Sequence, residues 1–245
     1  MTQQAVTQQA GTPQPAAPKP GTPKPVTPGV GAWTRTQMAA RLAADIPEGW
    51  YVNLGIGVPT LVADHVPRER EVILHSENGI LGMGPAPAKG EEDAWLVNAG
   101  KQPVTLHPGG SYFHHADSFA IIRGGHLDLC VLGAYEVAMN GDVANWATSE
   151  NDTAPAVGGA MDLAAGAKRV WVIMEHSTKS GGAKLVRACS YPLTAPAAVS
   201  RVYTNLGVFE AAGDGFRVIE MAPGVTLDHL RSVTDAPLLT EAMAA

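Results

Sequence analysis

Apolar residues recur at Met38, Leu42 and Ile46, the spacing of one helical face. This predicts a helix over 34–46, opened by Thr34 or Thr36 and closed near Pro47 and Gly49. From Trp50 the pattern becomes that of a strand. Residues 50–57 read as a buried strand running into a glycine turn, and Pro59 suits the first position of a helix ending near His65. The run Val72-Ile73-Leu74 predicts a second strand whose carboxyl end falls just before Glu77. Then follow a loop over 85–93, a strand over 101–106, a helix over 112–122 and a strongly apolar strand over 127–132. Residues 133–159 are polar and turn-rich, which predicts a long connection near the ligand face, with a tight turn at Asn140-Gly141-Asp142. A short helix over 161–167, a buried strand over 169–174, strands over 199–209 and 216–221 and a closing helix from about Thr226 complete the reading. Strands alternating with helices predict an α/β fold: a layered domain with a mostly parallel mixed sheet flanked by helices. No internal repeat is visible.

Composition adds a boundary. Residues 1–32 carry seven prolines among Thr, Gln, Ala and Gly and no acidic residue, so they have almost nothing to bury. They are expected to be a disordered, partly polyproline-like tail acting as a spacer or tether, with the folded domain spanning 33–245. The tail lacks a basic start followed by an apolar stretch, and it lacks arginine, which argues against a secretory signal and a mitochondrial presequence. The chain is 245 residues long with 45% hydrophobic and 16% charged content, and no apolar run is long enough to span a bilayer, so a membrane partner is not expected. Taking Lys19 and Lys24 of the tail away from the formal net charge of −6 leaves −8 on the remainder, which disfavours a nucleic-acid surface. Cys130 and Cys189 lack CxxC or His-rich spacing, so reduced thiols in a cytoplasmic compartment are expected.

The candidate chemistry centres on the decapeptide His75-Ser76-Glu77-Asn78-Gly79-Ile80-Leu81-Gly82-Met83-Gly84. Glu77 follows a strand's carboxyl end, where ligand crevices of open α/β sheets gather. Asn78 and Gly79 tolerate turn conformations, and Gly82 and Gly84 remove side chains where a ligand would approach, so the carboxylate is presented and Glu77 is the candidate nucleophile. The plainer alternative is an Asn-Gly hairpin turn with an incidental acidic flank. Asn53-Leu54-Gly55-Ile56-Gly57-Val58-Pro59-Thr60 lacks the third glycine of a dinucleotide fingerprint, though a helix start behind a glycine turn still suits an anionic group. Val157-Gly158-Gly159-Ala160 is a second glycine pair opening a helix, whose N–H groups suit an oxyanion. His107-Pro108-Gly109-Gly110 resembles a lipase oxyanion loop, but no Gly-x-Ser-x-Gly elbow accompanies it. His107, His114, His115, Asp117 and His126 lack a metal-ligand spacing, so no metal is expected. Lys101 could neutralise a ligand phosphate.

Six segments combine into a specific pattern: residues 53–60, 76–85, 98–101, 122–126, 141–146 and 158–163. Together they resemble the B subunit of the 3-oxoacid CoA-transferases, over about residues 33–240. The resemblance implies a layered CoA-transferase domain of the kind shared with NagB/RpiA-like sugar-phosphate isomerases. It also implies a separately encoded A subunit, an A2B2 heterotetramer with its active site where the two kinds of subunit meet, and inactivity of this chain alone. Glu77 would attack succinyl-CoA and become a glutamyl-CoA thioester that passes CoA to a 3-oxo acid, with ping-pong kinetics. Gly158 or Gly159 would donate an N–H to the Glu77 carboxyl group. Asn53, Gly55, Gly57 and Lys101 would hold the CoA chain. No cofactor would be permanently bound, coenzyme A esters being substrates. Gly90-Glu91-Glu92-Asp93 and residues 113–119 look more like subunits acting on 3-oxoadipate than those acting on acetoacetate. Two other readings share this scaffold: an acyl-CoA hydrolase, in which water intercepts the glutamyl thioester, and a non-catalytic ligand-binding module.

Overall fold

The computed structural model describes residues 31–67, 69–149 and 157–240. The expected tail therefore lies outside the described residues up to position 30, as do part of the long connection and the last five residues.

Helix α1, Arg35–Asp45, opens with a capping box: Gln37 N–H donates to the Thr34 hydroxyl, and Thr34 N–H donates to the Gln37 side chain. Strand β1, Tyr51–Leu54, enters the glycine turn, and Val58–His65 is a 3-10 helix with proline in its first turn. Strand β2, Ile73–Ser76, turns through Glu77-Asn78-Gly79 into β3, Ile80–Met83, which pairs with it antiparallel. Strand β4 is Leu106–Tyr112 and helix α2 is His115–Arg123. Strand β5, Leu129–Leu132, is wholly buried. The long connection contains β6, Glu136–Ala138, and β7, Val143–Ala144. Helix α3, Ala160–Gly166, leads to the buried strand β8, Val170–Met174. The chain closes through β9, Leu185–Val186, β10, Val199–Thr204, β11, Gly207–Ala211, β12, Phe216–Met221, α4, Leu227–Val233, and β13, Leu238–Leu239.

Ten strands form one sheet in the order β13-β12-β11-β10-β8-β5-β1-β2-β3-β4, and β7-β6-β9 form a small second sheet. The pairs from β10 through β8, β5 and β1 to β2 are parallel, while the hairpins at both wings are antiparallel. This is the expected mixed sheet flanked by helices. Alternation along the central strands divides the core by face. Cys130, Leu132, Val170, Val172 and Met174 face a cluster with Ile122, Leu163 and Leu230 of α2, α3 and α4. Leu129, Val131, Trp171 and Ile173 face a cluster with Met38 and Leu42 of α1 and Val62 of the 3-10 helix. The result is three layers.

Several expectations need correction. The strand placed over 101–106 begins only at Leu106 and runs through Pro108-Gly109-Gly110. It is the outermost strand, where proline's missing N–H costs no ladder bond. Tyr112 closes that strand, so the following helix starts at His115. The strand expected over 199–209 is two strands of a hairpin, broken at Asn205-Leu206. The segment after Pro59 is a 3-10 helix.

Candidate active site

From β1 the chain moves outward through β2, β3 and β4, then returns to lay β5 against the opposite side of β1. The switch point between β1 and β5 is where an open α/β sheet leaves a crevice beyond its carboxyl ends. A cavity of about 420 Å³ lies there. Its wall includes Asn53, Gly55 and Ile56 after β1, Glu77 after β2, Gly133, Ala134 and Tyr135 after β5, and Val157, Gly158 and Gly159 before α3.

Glu77 is thus both the first residue of a hairpin turn and a side chain facing the crevice, so the two sequence readings describe one feature. Its carboxyl group is held above the ordinary glutamate range, chiefly because burial disfavours the charged form. His115 opposes this shift through its charge and Asp162 reinforces it. The Glu77 backbone is tied down: its carbonyl lies 3.0 Å from Nδ1 of His115. A carbonyl only accepts, so Nδ1 carries the proton.

Gly159 packs directly against the carboxylate. A β-carbon there would collide with Oε2 of Glu77 and stand 3.0 Å from the Phe119 ring. Gly158 adopts φ +54°, the left-handed region that favours glycine, with open space where a β-carbon would stand. Gly55 lets the end of β1 approach β5, since a β-carbon would lie 3.0 Å from the Val131 carbonyl.

The other CoA-binding candidates are placed differently. Asn53 lines the cavity but is 2% exposed, and its amide donates to Nδ1 of His75 at 3.0 Å and to the His75 carbonyl at 3.2 Å. Both donor hydrogens are used, and Oδ1 has no hydrogen-bond partner among the described residues. Lys101 is exposed in a turn at φ +61°, two residues beyond Ala99 of the cavity wall. Gly57 caps the 3-10 helix and is not part of the wall.

Sequence reasoning missed a buried polar chain beneath Glu77. His75 is fully buried, accepting from Asn53 at Nδ1, so its Nε2–H donates to the Ser118 hydroxyl at 2.9 Å. Burial lowers its pKa to about 4, so the ring is neutral at pH 7. The chain joins β1, β2 and α2, and α2 carries the His115 and Phe119 that flank Glu77. The signal was available: Asn53 and His75 each interrupt an otherwise apolar strand. Neither cysteine joins the site. Burial pushes the Cys130 thiol up strongly, and burial with neighbouring carboxylates pushes Cys189 up to about 12.

Comparison with known proteins bears on this geometry. The family model described as Coenzyme A transferase matches residues 35–232. The B subunit of the 3-oxoadipate CoA-transferase of Pseudomonas putida is 58% identical over 206 residues, covering 84% of this chain and 96% of that protein. The B subunit of the succinyl-CoA:3-ketoacid coenzyme A transferase of Helicobacter pylori is 48% identical, covering 82% and 97%. The apoenzyme of the acyl-CoA transferase YdiF from Escherichia coli O157:H7 superposes with a TM-score of 0.67 at 22% identity. That match takes in 89% of this chain and 44% of the larger one, and it speaks to the fold alone. On the length and identity of these matches, the chain belongs to the coenzyme A transferase family, among the B subunits of its 3-oxoacid branch.

Proposed function

We propose that this chain, assembled with a separately encoded A subunit as A2B2, moves CoA from succinyl-CoA to a 3-oxo acid, 3-oxoadipate ahead of acetoacetate. The observation that carries the reading is Glu77, half-buried at the switch-point crevice with Gly159 against its carboxylate. The names of the relatives from P. putida and H. pylori support the donor and acceptor classes.

An oxygen of Glu77 attacks the thioester carbonyl, the C–S bond breaks, and a mixed anhydride and CoA thiolate result. The thiolate attacks the glutamyl carbonyl and succinate leaves, giving a glutamyl-CoA thioester. The acceptor's carboxylate then attacks that thioester and frees the thiolate, which takes the acyl group and restores the Glu77 carboxylate. Bonds and protons balance without another reactant.

Backbone N–H groups of Gly158 and Gly159 stabilise charge on the carboxyl oxygen, each worth on the order of 3 kcal/mol when well aimed. Gly55 and Asn53 Oδ1 border the pantetheine path, and Lys101 stands at its rim. Free thiols at Cys130 and Cys189 fit a cytoplasmic setting, and no described helix is long and apolar enough to cross a membrane.

The test is mass spectrometry of the assembled heteromer after mixing with succinyl-CoA. CoA should appear on the peptide containing Glu77, and Glu77→Ala or Glu77→Gln should abolish both adduct and transfer while the fold is kept. Undiminished turnover in Glu77→Ala would end the proposal. Free CoA released without an acceptor acid would instead indicate hydrolysis.

A further inference from the structure

Among the described residues the wall of the Glu77 cavity contains no lysine, arginine or histidine. Residues 150–156, which precede the wall residue Val157, contain none in sequence either. Succinyl-CoA, however, carries a free carboxylate beyond its thioester, and 3-oxoadipate a second one beyond the carboxylate that reacts; both stay ionised throughout. Such a charge is costly to hold in a dry crevice without a partner.

His115 is the basic side chain whose charge acts on Glu77. It is the first residue of α2 and is exposed. Its ring is pinned on two sides: Nδ1 donates to the Glu77 carbonyl at 3.0 Å, and the ring packs edge-on against Phe119 with centroids 4.9 Å apart. Phe119 in turn borders Gly159. The pinned ring leaves Nε2 without a partner among the described residues. Arg123, one helical turn beyond Phe119, is already committed. It donates to Asp162 at 2.7 Å and lies 5.5 Å over the Phe119 ring.

We propose that His115 is a specificity-determining residue whose Nε2–H binds the second carboxylate of a dicarboxylic substrate, the succinyl group in one half-reaction and 3-oxoadipate in the other. This rests on the CoA-transfer reading above. With Nδ1 occupied by the Glu77 carbonyl, Nε2 is the ring atom left to meet a carboxylate, and Nε2–H there makes a charge-assisted hydrogen bond. Acetoacetate has no second carboxylate and gains nothing from the contact.

Ping-pong kinetics of the assembled heteromer isolate the effect, because kcat/KM for each substrate reports its own half-reaction. His115→Asn keeps an amide donor for the Glu77 carbonyl and removes Nε2. It should lower kcat/KM for 3-oxoadipate and succinyl-CoA by about tenfold or more, the scale of a lost hydrogen bond to a charged group. The ratio of 3-oxoadipate to acetoacetate should fall by a similar factor, and His115→Lys should recover part of it. An unchanged ratio, or equal losses on all three substrates, would overturn the assignment while leaving CoA transfer intact. A wild-type complex that transfers CoA to neither acid would overturn both readings.

Discussion

Gly159 touches the carboxylate of Glu77, and nothing larger than its hydrogen fits between them. Its backbone sits at φ −80°, ψ 0°, a conformation open to any residue. Gly159→Ala should therefore fold normally and displace chiefly the carboxylate, with a small shift of the Phe119 ring. Because small misplacements of reacting groups cost on the order of 100-fold, kcat should drop by about that factor with the thermal midpoint little changed. Gly158→Ala makes the useful contrast. It meets open space but a left-handed backbone, so it should cost about 1–2 kcal/mol of stability and leave Glu77 in place. Equal activity losses in the two variants would contradict this.

The raised pKa of Glu77 sets the direction of the acid limb. Attack requires the carboxylate, so transfer should fail at a higher pH than an ordinary glutamate would dictate. Burial is the largest cause, Asp162 adds to it and His115 works against it. Asp162→Asn removes a negative neighbour and frees the charge of Arg123, and both changes favour ionised Glu77. The acid limb of kcat/KM for succinyl-CoA should move to lower pH. A limb that stays put or moves up would refute the electrostatic account.

His75 ties stability to pH. Its pKa of about 4 in the folded chain lies below the ordinary value of 6.5, so between these values the unfolded chain binds the extra proton. Stability from this group is complete above about pH 6.5 and is lost as pH falls toward 4, by on the order of 3 kcal/mol. His176, fully buried and lowered to about 3, acts in the same direction. Urea unfolding of His75→Gln should show lower stability at pH 7.5 but a shallower decline between pH 7 and 5. A slope identical to wild type would show that His75 is not the group responsible.

Where one force dominated, the sequence was readable. Met38, Leu42 and Ile46 fixed α1, and Thr34 capped it, because spacing and a side-chain acceptor are local. The apolar runs of β5 and β8 were clear for the same reason, as was Glu77 at the end of β2. The hairpin to β3 was legible only as the plainer alternative at Asn78-Gly79, since its pairing also depends on Gly79 and Gly82 adopting positive φ. In β4, Pro108 and two glycines defeat strand propensity, and only its place at the sheet edge permits them. The break at Asn205-Leu206 falls between two strands of similar mixed composition, Val199–Thr204 and Gly207–Ala211, so residue type did not separate them. Glu77 and the glycine pair, singled out by residue type, do lie together on one cavity wall. The roles of His75, Ser118 and Phe119 depend on which strand lies beside β2 and which helix crosses it, and periodicity carries neither fact.

The sheet is wound outward from β1 in two directions, and Glu77 and Gly159 straddle the divide. Glu77 arrives with the first wing, whereas Gly159 arrives some eighty residues later, after the chain has doubled back. A polypeptide halted before position 157 would carry the acid and lack the surface that seats it. On the function proposed above, the acid and the glycine that packs against it come together only when both halves have docked.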